Sequence, residues 1–119
     1  MARILLAEDD TAVSAFVSRA LRHKGHEVTP VPDGSAALGA LAAGEFELLL
    51  TDIVMPGLDG IALALKASKD HPQLKILLMT GFSDERQRAH NLEALIQRVI
   101  TKPFSLEEIC AAVEEELAH

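Results

Sequence analysis

The sequence predicts an α/β fold: five βα units forming a parallel sheet with helices layered on both faces. Three observations lead there. Short runs of aliphatic and β-branched residues alternate five times with amphipathic segments, the rhythm of repeated βα units. Runs such as Leu48-Leu49-Leu50 and Ile76-Leu77-Leu78-Met79 are apolar without alternation, as expected of strands covered on both sides. The length of 119 residues suits one domain spanning 1–119 with a real core.

Taken in order, strands are expected at 3–7, 27–31, 47–51, 75–79 and 98–101. The first helix, about 11–24, places Val13, Phe16, Val17, Ala20 and Leu21 on one face at helical spacing. Arg22, His23 and Lys24 put cations at its negative end, and Gly25 follows as the C-terminal glycine. The second, about 35–43, is alanine-rich, turns Leu38 and Leu41 inward and is stopped by Gly44. A third, about 61–69, follows Gly60. A fourth is expected within 84–95, where Asp84 to Asn91 is almost wholly polar and Leu92, Leu95 and Ile96 come late. The last helix is the best specified. Ser105 and Glu108 form a capping box, Phe104 can staple onto Ile109, and Ile109, Val113 and Leu117 line the buried side. Glu114-Glu115-Glu116 reads most simply as a solvated acidic face, with a meeting with a basic partner as the alternative.

Composition narrows the function. The chain is 49% hydrophobic and 24% charged with a net charge of -7, an ordinary globular balance. Its acidity argues against a nucleic-acid surface, which needs clustered Lys and Arg. The first apolar run is too short for a signal peptide, and no stretch approaches a membrane span, so a cytoplasmic protein without a membrane partner is expected. The single Cys110 has no internal disulfide partner and reads as a small buried hydrophobe. The histidines at 23, 26, 71, 90 and 119 show no metal-ligand spacing. A monomer is expected.

The chemistry gathers at strand ends. Glu8-Asp9-Asp10 follows Ile4-Leu5-Leu6-Ala7, Asp52 follows Leu48-Leu49-Leu50-Thr51, and Lys102-Pro103 follows Val99-Ile100-Thr101. If these strands are parallel neighbours, their carboxyl ends share the crevice where open α/β sheets hold ligands. Crowded carboxylates either rise in pKa or bind a cation. Mg²⁺ suits the place, preferring oxygen ligands and keeping several waters. Asp52 is then a candidate nucleophile for a phosphoryl group, Lys102 the opposing cation, and Thr80, in Met79-Thr80-Gly81, a hydroxyl for a phosphoryl oxygen.

With these residues in place, the chain resembles the receiver domain of two-component response regulators along essentially its whole length. The matching pieces are Ile4 to Asp10, Leu49 to Gly60, Met79-Thr80-Gly81 and Thr101-Lys102-Pro103-Phe104. The resemblance implies a CheY-like, flavodoxin-like fold with strand order 2-1-3-4-5 and a cis Lys102-Pro103 bond. It implies that Asp52 accepts a phosphoryl group from a phosphohistidine donor, a sensor histidine kinase or a histidine phosphotransferase. It further implies that Asp9, Asp52 and the Val54 carbonyl bind Mg²⁺, with Glu8 acting through water, and that Thr80 and Lys102 contact the phosphoryl group. A Mg²⁺-dependent phosphatase of the haloacid dehalogenase type would carry a second acid where this chain has Val54.

Some positions depart from the common receiver pattern. Val99 stands where many receivers carry an aromatic switch residue. Val54 and Phe82 flank the expected path of the hydrolytic water, and neither side chain can hold a water, so slow self-dephosphorylation is expected. The sequence reaches His119 just past the last helix, so output by protein contact is expected. The Thr-Gly-Phe triplet and Asp-Ile-Val-Met-Pro resemble single-domain regulators of the CpdR type, which implies ClpX as a partner and an adaptor role in ClpXP proteolysis. A phosphorelay carrier, a phosphate sink or the receiver of a hybrid histidine kinase is the alternative.

Overall fold

The computed structural model describes residues 2–81 and 98–118. Among them, five parallel strands form one sheet in the order β2-β1-β3-β4-β5, as the resemblance implies. The strands are β1 (Arg3–Ala7), β2 (Glu27–Val31), β3 (Leu48–Asp52), β4 (Lys75–Thr80) and β5 (Arg98–Thr101). Four helices accompany them: α1 (Thr11–His23), α2 (Gly34–Ala43), α3 (Gly60–Asp70) and α4 (Leu106–Leu117). The helix expected within 84–95 lies outside the described residues. No helix among the described residues is long and apolar enough to cross a membrane.

Strand pleating divides each apolar run between two cores. Ile4 and Leu6 of β1, Leu48 and Leu50 of β3, and Leu77 and Met79 of β4 face Val17, Ala20 and Leu21 of α1 and Ile109 and Val113 of α4. Their neighbours Leu5, Ala7, Leu49, Ile76 and Leu78 face Ala37 and Leu41 of α2 and Leu63, Ala64 and Ala67 of α3. Both faces are thus dry, which is why these strands read as unbroken apolar runs.

Helix starts obey the chemistry of their sequence. Asp10, Asp33 and Asp59 cap α1, α2 and α3, each side chain accepting from backbone N–H groups of the first turn. Ser105 and Glu108 close a reciprocal capping box on α4, and Phe104 packs in the same cluster as Ile109. β3 and β4 run one residue further than expected, so Asp52 and Thr80 are the last residues of their strands.

Two expectations are corrected. Phe16 was expected on the inner face of α1, yet it is 43% exposed, because Val17, Ala20 and Leu21 define the buried stripe and Phe16 falls at its edge. The acidic run is not simply a solvated face. Glu116 is buried, and Glu114 meets the His26 ring, Nε2 to Oε2 2.6 Å. His26 is itself buried, with Nδ1 accepting from the Ala2 N–H at 3.1 Å, so its ring proton sits on Nε2 and points to Glu114. The ring ties the approach to β1 to α4.

Candidate functional site

Order β2-β1-β3 places the first two connections on opposite sides of β1, so a crevice opens beyond the carboxyl ends of β1 and β3. Ala7 and Thr51 are partners in register there, so the residues that follow them, Glu8 and Asp52, emerge side by side. Thr80 pairs with Thr101 on the next two strands, and the Lys102 N–H donates to the Thr80 carbonyl at 2.7 Å, carrying Lys102 to the same edge. The Lys102-Pro103 bond is cis.

Lys102 Nζ bridges two carboxylates, 3.0 Å from Glu8 Oε1 and 3.0 Å from Asp52 Oδ1. Glu8 Oε2 accepts from the Asp10 N–H at 3.1 Å, so both of its oxygens are engaged. Glu8, Asp9 and Asp52 each offer an oxygen within 4.8 Å of the others. Glu8 and Asp52 are buried whereas Asp9 is exposed, which leaves the cluster open to water on one side.

Electrostatics follow from this crowding. Burial raises the Asp52 carboxyl above the usual carboxylate range, and Asp9 adds to the rise against the opposing pull of Lys102. Burial likewise raises Glu8, again opposed by its bond to Lys102. For Lys102 burial acts in the lowering direction, but its bonds to Glu8 and Asp52 outweigh it and the ammonium is held above its ordinary value. The Lys102 ammonium therefore pairs with two of the three clustered carboxylates, and the surplus negative charge favours a cation.

The Asp52 backbone is held as firmly as its side chain. The Thr51 hydroxyl donates to the Asp52 carbonyl at 3.0 Å. Gly60 N–H donates to the Ile53 carbonyl at 2.8 Å, and a Cβ at Gly60 would stand 2.0 Å from the Asp52 carbonyl oxygen, so only glycine fits. Of the other expected residues, Thr80 is fully buried at the end of β4, and the Val54 side chain is 50% exposed beyond Asp52. Phe82 lies outside the described residues. Val99 is half-buried and packs against the core beneath α2 and α3.

These positions can be set beside known proteins. A family model for the response regulator receiver domain matches residues 4–114. The chain belongs to the response regulator receiver family. Receivers are signalling switches whose general function is to accept a phosphoryl group. This receiver is 41% identical over 117 residues to the response regulator receiver protein CpdR of Brucella abortus, covering 98% of each chain. It is 31% identical to the transcriptional regulatory protein TcrA of Mycobacterium tuberculosis, spanning 92% of this chain but 43% of that protein. In structure it is similar to the response regulator TrrA of Thermotoga maritima, solved with Mg²⁺ and BeF. The TM-score is 0.88 at 27% identity, over 98% and 99% of the two chains.

Two features escaped the sequence. The direct Glu8–Lys102 bond joins residues 94 positions apart, and no local pattern announces it. Beside Lys102 runs an apolar groove of about 510 Å³ lined by Ala12, Val13, Phe16, Gly81, Pro103 and Phe104. The sequence assigns Phe16 and Phe104 to buried packing and gives no sign that they meet at a groove.

Proposed function

We propose that this receiver takes a phosphoryl group onto Asp52 from a phosphohistidine donor and thereby switches a protein–protein contact in the cytoplasm. One observation carries the reading: Lys102 Nζ lies 3.0 Å from both Asp52 and Glu8, with Asp9 in the same cluster. Acceptor, counter-charge and surplus carboxylates are together. In the transfer, an Asp52 oxygen attacks phosphorus as the P–N bond of the donor breaks, and the electron pair of that bond returns to the imidazole. Lys102 balances the charge on the phosphoryl oxygens. Thr80 donates its hydroxyl to one of them. Because that side chain is buried, the contact draws the end of β4 toward Asp52, which is the switching motion.

The residues fit Mg²⁺. Asp9, Asp52 and the Val54 carbonyl would hold it, and Glu8, with both oxygens already bonded, would act through water. Bound there, the ion neutralises charge on the transferring phosphoryl. The groove at Phe16 and Phe104 offers the donor an apolar seat next to Lys102. Val54 gives a hydrolytic water no side-chain partner, so the phosphoryl persists for minutes or longer, or leaves by back-transfer to a histidine.

Similarity to CpdR over nearly the full length supports an adaptor for ClpXP, with ClpX as the partner. Incubation with acetyl phosphate and Mg²⁺ should add one phosphoryl mass to the intact protein, and Asp52→Ala should abolish it. An unchanged mass, a gain that survives loss of Asp52, or decay within seconds would overturn this reading. A pull-down from cell extract with wild type beside Asp52→Ala identifies the output. Recovery of ClpX supports the adaptor, and recovery of a histidine phosphotransferase alone makes the protein a phosphorelay carrier.

A further inference from the structure

The loop between β3 and α3, residues 53–59, is gripped from two sides by positions that carry no side chain. Gly60 closes one side against Asp52. On the other, α2 begins at Gly34, where a Cβ would stand 2.6 Å from the Leu58 carbonyl oxygen, 3.0 Å from Leu58 Cβ and 3.1 Å from Cδ2. The shortest contact is to backbone, which cannot turn aside as a flexible side chain would. Leu58 itself packs against the core beneath α2 and α3, with Met55 and Ile53 of the same loop buried there, so the loop has little room to retreat.

Conformation does not explain this glycine. Gly34 is not among the residues with positive φ, so its backbone accepts any L-residue, and alanine is the better helix former. Asp33 already caps the helix, its side chain accepting from the Ala36 N–H at 2.8 Å. What remains is the contact with Leu58. Gly39, in the same helix, has nothing within 4 Å of its would-be Cβ and shows what a glycine without that contact looks like.

We propose that Gly34 is a positioning residue for the phosphoryl-acceptor site. By laying the start of α2 against Leu58, it fixes the 53–59 loop and with it the Val54 carbonyl beside Asp52. The inference rests on the reading that Asp52, Asp9 and that carbonyl hold Mg²⁺. A methyl at Gly34 pushes Leu58 outward, and the loop moves while the Asp9 and Asp52 carboxylates stay on their strand ends.

Mg²⁺ affinity of the unphosphorylated protein, measured by calorimetry, and the rate of reaction with acetyl phosphate across Mg²⁺ concentrations provide the test. Gly34→Ala should weaken Mg²⁺ binding about tenfold, the scale seen when groups supporting metal ligands are disturbed. Its reaction rate at saturating Mg²⁺ should stay within about twofold of wild type, because the chemical groups on the strands are untouched. Gly39→Ala should match wild type in both. Mg²⁺ affinity of Gly34→Ala within twofold of wild type overturns the proposal. If Gly34→Ala does not fold, Leu58→Ala, which removes the Cδ2 side of the contact and leaves the carbonyl in place, should weaken Mg²⁺ binding in the same direction, and wild-type affinity there overturns the proposal equally. Failure of the wild type to bind Mg²⁺ at all would instead sink the reading of the site.

Discussion

At the residue scale, Asp52 and Glu8 combine two roles that oppose each other: they serve the site and they strain the fold. Burial raises both carboxyl groups above their unfolded values. Between the unfolded and folded pKa the native state holds the extra proton. Stability from these groups is therefore complete below the ordinary carboxylate range and is lost as pH rises through the raised values. In chelator, urea denaturation from mildly acidic to neutral pH should show falling stability. Asp52→Asn should flatten that fall and exceed wild type at neutral pH, because burial outweighs the lost bond to Lys102. His26 is the opposite case, a buried polar group fully used. His26→Ala leaves the Ala2 N–H without its partner and should cost about 2 kcal/mol by urea denaturation. Removing Glu114 leaves the Nε2–H of the 4% exposed His26 ring without its acceptor and should cost about 1 kcal/mol.

At the element scale, each described helix begins where a capping side chain meets an apolar stripe, and β1, β3 and β4 each deliver an apolar run to two cores. Ser105→Ala breaks one arm of the α4 capping box and should lower stability by about 1 kcal/mol, read as a drop in urea midpoint with unchanged slope. The phosphoacceptor chemistry should survive, because Lys102 is placed by the Thr80 carbonyl and by β5 pairing rather than by that cap. The apolar groove belongs to this scale as well. It is formed where the α1 flank with Phe16 meets Pro103 and Phe104, three residues that no single amphipathic pattern relates.

At the scale of the whole molecule, the sheet acts as a frame that collects Glu8 and Asp9 after β1, Asp52 at the end of β3 and Lys102 after β5. Because Asp9 and Asp52 come from different strands, a cation binding between them is linked to folding of the sheet. The thermal midpoint should rise with Mg²⁺ and fall back in chelator, and scanning calorimetry of Asp9→Asn should show that rise lost. The sequence by itself determined the five strands and the Ser105–Glu108 capping box, and it brought forward Asp52, Glu8, Asp9, Lys102 and Thr80 as candidates, because periodicity, capping and strand-end charge are local signals. Helix α1 marks the limit of such signals, since spacing alone put Phe16 inward although it falls at the edge of the stripe that α1 buries. Only the tertiary structure decided that Lys102 would bridge Glu8 and Asp52, that His26 would reach Glu114 and that Gly34 would rest on Leu58. Those contacts join segments distant along the chain, and which atoms meet is set by strand order, register and twist, none of which a short stretch of sequence encodes.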